Sequence, residues 1–478
     1  MKNMLKLFEI ISFIIIFIFA ISCSDSGGGG PGGGGDPGGG GDPGGGNGFG
    51  DTDVPEEDDD DNTGLILDVW DGVTINIDWY DGGDGPFSIN TSAELAGLEK
   101  LTNNDGVIFI NKTINQTANL DLGGREWIPI GVFFGTYNGN NNTIRNFKII
   151  TGGNNKGLFS SIATGGKVQN VKISDVDISG NQRVGGVVGQ NEGTVEGCIV
   201  TDSIFAGSDY VGSVAGLCSP NAKVENCTVT AANVIGTGNC VGGVVGINWG
   251  SMQGCIVTDS SVYSDSYSVG GVAGQNYDTV ENCSFSDGTV TGNDYVGGVV
   301  GNSSYPGLVQ KCYAFAAIEG TSSSAGGVVG YNDSVVKNCY ATGSVQSSNL
   351  AGGVIGCNGS SDNSKVENCY ATNSLSGNIA AGICSLNTGT VTNCVALNSN
   401  INGSSKWRIY YDSSGTGIGE NNYSNISGDW QNKGPDSGNG EDLEASDYNT
   451  RDWWESIDFN FDTIWKMSGG SNSLPVFK

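Results

Sequence analysis

The chain has 478 residues, with 81 glycines, no histidine, 21 basic against 51 acidic side chains and a formal charge of −30. That balance argues against nucleic acid, whose phosphates need clustered Lys and Arg, and against adsorption to anionic lipid headgroups. The lack of histidine removes His-based triads and HExxH zinc sites, and a charged fraction of 15% is too low for a charge-driven disordered chain.

Lys2 and Lys6 give a positive start, and Leu7 to Ile21 is apolar apart from Glu9 and Ser12. That length fits a signal h-region better than a membrane span. The run ends in Ala20-Ile21-Ser22-Cys23, which resembles the lipobox of bacterial lipoproteins, with Ala20 where leucine is usual. The resemblance implies that 1–23 is a lipoprotein signal peptide and that Cys23 is acylated, becoming the mature N-terminus. Two or three acyl chains would give stable anchoring. An ordinary secretory signal with an incidental cysteine is the alternative. The expected location is the cell envelope, lipid-anchored at the outer-membrane surface.

Residues 24–63 read as a disordered tether. Gly27 to Gly50 is nearly all glycine, broken by Pro31, Pro37 and Pro43, and behaves as a flexible coil. Asp51 to Asp61 is dominated by like charges that extend the segment. A tolerated low-complexity insertion is the blander reading.

Residues 64–155 are expected to hold an N-terminal cap and the first coils of a β-helix. Thr91-Ser92-Ala93-Glu94 is a capping-box pattern opening Leu95 to Leu101. It predicts a short helix that covers exposed strand edges.

Residues 156–403 are periodic. Val184-Gly185-Gly186-Val187-Val188-Gly189 returns at Val211, Val241, Val269, Val296, Ala325 and Ala351, with a decayed copy at Ala380 and a divergent first copy, Gly157-Leu158-Phe159. The period is about 28 residues by direct count. About ten residues after each copy comes a second phrase, Val195-Glu196-Gly197-Cys198 or Val224-Glu225-Asn226-Cys227, in which cysteine recurs at 198, 227, 255, 283, 312, 339, 369 and 394. A looser third phrase is Val176-Asp177-Ile178, Ser261-Val262, Thr289-Val290 and Ser344-Val345. Short β-branched runs separated by Gly, Asn, Ser and Asp read as strands and turns. The reading is an all-β, right-handed parallel β-helix of about nine coils with short helical and aromatic end caps. At about 4.8 Å per coil the rod is roughly 43 Å long. The Asn that precedes cysteine in most repeats is expected to form a ladder of side-chain amides.

This repeat resembles the GLUG motif of bacterial surface and adhesin-like proteins. The resemblance is carried by Gly157-Leu158-Phe159, the Val-Gly-Gly-Val-Val-Gly series, Leu120 to Gly131, Phe134 to Ile144, Phe459 to Trp465 and Leu474-Pro475-Val476. It spans about 85–478 and implies architecture more than activity.

Residues 404–478 divide into a looped insertion, 404–440, and a C-terminal cap. Leu443 to Phe461, with Trp453, Trp454, Phe459 and Phe461, is expected to plug the end as a helix and strand.

The eight cysteines read first as a column of small buried residues, then as scattered disulfides, and last as a metal site, which needs convergent ligands. Tyr313, Tyr340 and Tyr370 each follow a column cysteine, so alternation sends them outward as a stacked strip. The strip is a candidate ligand-binding surface, or a ladder packed against a neighbouring segment. Tyr210, Tyr267 and Tyr295 are expected to share another repeat position. Asp175, Asp177, Asp202, Asp259 and Asp287 are the candidate catalytic carboxylates, and they read as solvated turn acids.

No catalytic, cofactor or metal residues are assigned, and the chain is expected not to be an enzyme. The reading is a lipid-anchored, adhesin-like surface protein. Its expected partners are the membrane, through the N-terminal lipid, and an extracellular glycan, host or matrix protein or neighbouring cell, with no nucleic acid. A polysaccharide lyase or glycoside hydrolase and a passive coat or spacer are the alternatives. A carboxylate pair facing one groove would favour the enzyme.

Overall fold

The computed structural model describes residues 68–470 and 473–478. The signal sequence with Cys23, the tether and residues 64–67 lie outside the described residues. The described residues form one compact unit, a parallel β-helix closed around one continuous core.

Strands on successive turns pair in parallel and in register, so like residues stack on like. The column beginning Phe87, Ile114, Tyr137, Val168 and ending Val366, Val391, Gly419 holds thirteen positions. Thirteen positions make twelve steps, about 58 Å at about 4.8 Å per step. The expectation of nine coils counted only the recognisable glycine phrases. Turns before residue 157 and after 403 pair through the backbone without that phrase.

Most turns carry five short strands rather than three, and where neighbours merge, as in Val300–Gln310, Tyr313–Gly320 and Ser324–Gly326, a turn carries three. In one five-stranded turn the strands are Val188–Asn191, Thr194–Glu196, Ile199–Thr201, Ile204–Gly207 and Asp209–Gly212. The first two belong to a 21-stranded sheet and the last three to a 26-stranded sheet. Left-handed backbone makes three corners per turn, at Asn226 (φ 54°), Asp202 (φ 51°) and Tyr210 (φ 60°) and their equivalents. Asn and Asp tolerate this conformation best among residues with a side chain. The Asn before a column cysteine, at 226, 282, 338, 368 and 393, is therefore a corner residue.

The continuous amide ladder sits elsewhere, inside the helix. Asn191, Asn248, Asn276, Asn332, Asn358 and Asn387 are fully buried at one repeat position, with Cys218 and Ser303 filling the other turns. Asn332 Nδ2 donates to Asn358 Oδ1 at 2.8 Å, and Asn358 Nδ2 to Asn387 Oδ1 at 2.8 Å. Asn248 donates likewise to Asn276 at 2.8 Å.

The paired glycines mark the closest approach between turns. A Cβ on Gly243 would lie 2.0 Å from the carbonyl oxygen of Gly271, and one on Gly353 would lie 1.8 Å from that of Gly382. Both distances are shorter than any contact a real Cβ makes, so these positions have no room for a side chain.

The predicted helix is Ser92–Asn103, with the capping box formed between Thr91 and Glu94. It buries Leu95, Leu98 and Leu101. It also meets the open edge of Ile130–Phe133, which pairs with only one strand. Thr102 Oγ1 accepts from the Gly131 amide at 3.1 Å, and Asn103 Nδ2 donates to the Pro129 carbonyl at 3.0 Å.

The C-terminal quarter differs from expectation in two ways. Residues 404–440 are not a simple looped insertion. Ser405–Trp407, Ile418–Glu420 and Tyr423–Ser424 continue the stack on the preceding turn. An existing strand edge supplies backbone partners whatever the side chains, so polar sequence joins it. The aromatic segment, in turn, does not plug the end. Its helices Ala445–Tyr448 and Arg451–Ser456 and its antiparallel pair, Trp465–Met467 with Pro475–Phe477, form a second apolar cluster with Tyr370 and Val395 on the rod's flank. The last turn is covered by 433–442, where Arg408, 1% exposed, donates to the Ser424 and Glu441 carbonyls and to Asp442 at 2.5 Å.

The internal ladder sets the first prediction. Asn358→Leu removes both ladder bonds, while Asn332 Nδ2 keeps the Ser334 carbonyl at 3.0 Å and Asn387 Oδ1 keeps the Gly389 amide at 3.2 Å, so the cost is that of the lost bonds, about 0.5–1.5 kcal/mol each. The urea midpoint followed by circular dichroism should fall. An unchanged midpoint would show that the ladder adds nothing to stability.

Candidate functional site

The tyrosine strip stacks as expected. Ring centroids are 5.1 Å apart for Tyr313–Tyr340 and 5.0 Å for Tyr340–Tyr370, with interplanar angles of 4° and 3°. It does not, however, face solvent as a free surface. Phe477 lies 5.3 Å from Tyr340, Trp454 lies 5.6 Å from Tyr370, and Tyr370 Oη donates to the Pro475 carbonyl. Tyr370 is 2% exposed, and burial pushes its phenol well above the ordinary range. The strip is the seat of the C-terminal segment. The second tyrosine set does not share one position. Tyr210 stacks in register with Cys240, Ser268 and Tyr295, whereas Tyr267 stands one residue earlier, opposite Asp294.

The acids separate in the same way. Asp175, Asp202, Asp259 and Asp287 are left-handed corner residues, and Asp177 lies on a strand against Lys148 and Ile204. The register stacks Asp175 on Asp202 and Asp259 on Asp287 on adjacent turns, and none of the five acids lines the groove described below.

All twelve described cysteines are buried, and the eight of the column form no disulfide. The eight column members stack from Cys198 to Cys394. Each of the last four, Cys312 to Cys394, donates its thiol 3.2 Å to the carbonyl two residues earlier, just before a corner. Several also reach the valine carbonyl of the turn below, as Cys394 does to Val366 at 3.7 Å. At the column's end Asn422 takes over, donating 2.8 Å to the Val391 carbonyl. The position selects a small buried group with a donor. Among the described residues no group of three or more His, Cys, Asp or Glu is placed to hold a metal.

One concavity is large enough for an extended ligand. A groove of about 960 Å³ runs where the C-terminal segment meets the last turns. Its floor is the outer face of Lys365–Glu367, Thr390–Thr392 and Ile418–Glu420, together with the corner asparagines 338, 368, 393 and 421. Its far wall is Asp458, Asn460 and Ile464, and Pro435 and Asp436 close one end. Asn368 Nδ2 donates 2.6 Å to the Asp458 carbonyl and Asn393 Nδ2 donates 3.4 Å to Asp458 Oδ2, so the far wall is fixed to the floor. Sequence reading missed this site. The acid before each corner was visible as Glu196, Glu225 and Glu367, but no local pattern brings 435–464 onto that face.

The model of the GLUG motif matches residues 180–204, 265–291 and 321–346, so the chain carries GLUG-motif repeats. Halomucin of Haloquadratum walsbyi is 32% identical over 163 residues, covering 30% of this chain and 2% of that protein. The "Putative Gly-rich membrane protein" of Evansella cellulosilytica is 33% identical over 129 residues, covering 24% of this chain and 15% of that protein. The chain thus spans only a small part of these curated relatives. A solved Bacteroides ovatus structure described as a "putative immunoglobulin A1 protease" is 15% identical, covering 84% of this chain and 95% of that one at a TM-score of 0.31.

The buried thiols predict an alkaline limit to stability. Burial pushes Cys218 up to about 12 from 9.0, and Tyr277 up to about 12 from 10.0. Burial also holds Cys312, Cys339 and Cys394 well above the ordinary value. A raised folded pKa contributes stability that is complete below the unfolded pKa and lost as pH rises through the folded one. The urea midpoint should hold to about pH 9 and fall steadily towards pH 12. Native thiols should resist a soluble disulfide reagent at pH 8 and react once urea is added. Rapid titration of all twelve in the native chain would refute the buried column.

Proposed function

We propose that this GLUG-repeat chain is a lipid-anchored, cell-surface binding protein that holds a rigid β-helical rod outward for contact with glycans, matrix or neighbouring cells. The observation that carries the reading is the pairing of an export and lipobox-like start, ending at Cys23 and followed by an extended Gly-rich and acidic segment, with a rod whose outer faces repeat every turn. Regular outward ladders suit contact with a repetitive partner. The names of the two relatives, a halomucin and a Gly-rich membrane protein, agree with an envelope setting. Among the described residues no helix is long and apolar enough to cross a membrane, so an acyl group on Cys23 would supply the attachment.

Metabolic labelling with a palmitate analogue should mark the full-length chain and leave Cys23→Ser unlabelled, with the variant released into the medium. Protease added to intact cells should degrade the wild-type rod. Equal labelling of both chains, or a rod protected until cells are lysed, would overturn the anchored-surface reading.

A further inference from the structure

Outside the groove, the rod's outer face shows how its charges ordinarily pair. Along one ladder, lysines and glutamates neutralise each other: Lys167 with Glu196 at 2.6 Å, Lys223 with Glu225 at 3.1 Å, and Lys311 with Glu281 at 2.8 Å. Lys365 and Glu367 occupy the same ladder positions as Lys223 and Glu225, through the register of successive turns. Yet neither is in an ion pair. They line the groove together with Asn338, Thr390 and Thr392, and all five side chains are half-buried without a hydrogen-bond partner among the described residues. Their polar atoms line the cavity as donors and acceptors that no protein group occupies among the described residues.

We propose that this groove binds a neutral glycan strand. The inference rests on the surface-binding reading above and names its ligand class. The lining holds both donors and acceptors: amides, hydroxyls, one ammonium and carboxylates. Sugar hydroxyls, which donate and accept, match that mixture. Glu367, Glu420, Asp436 and Asp458 against Lys365 give the groove a net negative charge, which repels uronate, sulfated and phosphate polymers. Ile464 and Pro435 supply apolar wall for the C–H faces of sugar rings. Asn338, Asn368, Asn393 and Asn421 repeat once per turn, at about 4.8 Å. That spacing is comparable with the length of one sugar residue in an extended chain, so successive residues would meet equivalent groups.

The test is calorimetric titration of the detergent-solubilised full-length chain with neutral hexasaccharides (gluco-, xylo-, manno- and galacto-), with oligogalacturonate as the anionic probe. At least one neutral hexasaccharide should bind. Glu367→Gln and Asn338→Ala should each weaken it about ten-fold, as loss of a hydrogen bond to a charged or buried group does. Thr392→Trp, which fills the groove, should abolish binding. Glu196→Gln, on the same ladder outside the groove, should leave binding unchanged. Circular dichroism and the urea midpoint of each variant establish that it is folded.

Equal affinity for oligogalacturonate overturns the neutral-glycan assignment. So does the absence of any neutral binding, or neutral binding indifferent to all three groove variants. If the chain then still adheres to matrix proteins or whole cells, the surface-binding reading survives and the groove alone falls. If it adheres to nothing, both fall. Shortened oligosaccharides in the mixture would confirm occupancy of the groove and replace display with hydrolysis.

Discussion

Neighbouring turns meet at the glycine column with their backbones in contact, and the rest of the molecule depends on that distance. With no room for a Cβ between Gly243 and the Gly271 carbonyl, the turns stay at strand spacing around the whole circuit. In-register parallel pairing then has no freedom to slip, because a shift of one residue would turn the valine columns outward. The column tolerates Ser213 on one turn, where its hydroxyl is buried without a partner. That exception shows what a side chain does there: the backbone accommodates one Cβ, but the attached oxygen has nowhere to bond.

A rod built this way is uniform on its outside, and uniformity works against a ligand site. Each ladder repeats one group at one spacing on a surface with little concavity. The groove exists because a non-repetitive segment lies on the flank. The tyrosine stack fixes that segment there through Trp454, Trp465 and Phe477. Stacked aromatics on a solenoid make a flat apolar seat, and its coverage by the chain's own C-terminus removes an exposed aggregation surface. The cavity lies beside that contact, so the strip contributes to the site through architecture and not as a binding surface.

The architecture was legible because the repeat imposes the same choice many times. Cysteine and valine columns, outward tyrosines and the capping box at Thr91 all come from period, alternation and caps. Three things were not legible. The Asn ladder was expected at the corner, because an Asn near a cysteine and an Asn after a glycine look alike until backbone handedness separates them. Here Asn226 bends the chain while Asn248 fills the interior. Turns without the glycine phrase were missed, since pairing to an existing edge needs no side-chain signal. The groove was invisible because its far wall lies up to 126 residues from its floor, between Asn338 and Ile464, and no sequence period links them.

The cysteine column shows how chemistry and stacking select one residue. Valine fills the slot at Val171 on the first turn, so volume alone does not require sulfur. The cysteines of the later turns differ from that valine in having a donor. Each thiol meets the carbonyl just before the left-handed corner and adds a second donor to an oxygen that already accepts a backbone amide, as the Thr392 carbonyl does from Asn368 at 3.2 Å. Asn422 replaces sulfur with an amide aimed at the Val391 carbonyl, the equivalent of the Val366 carbonyl on the turn below that Cys394 also reaches. Serine would donate more strongly but would bury a more polar atom on every turn. Cysteine joins a weak donor to an apolar surface, and in a column of eight that compromise is repeated without accumulating polar atoms in the core. Packing and carbonyl capping therefore account for the thiols within the fold itself, and neither metal binding nor cross-linking is needed to explain them.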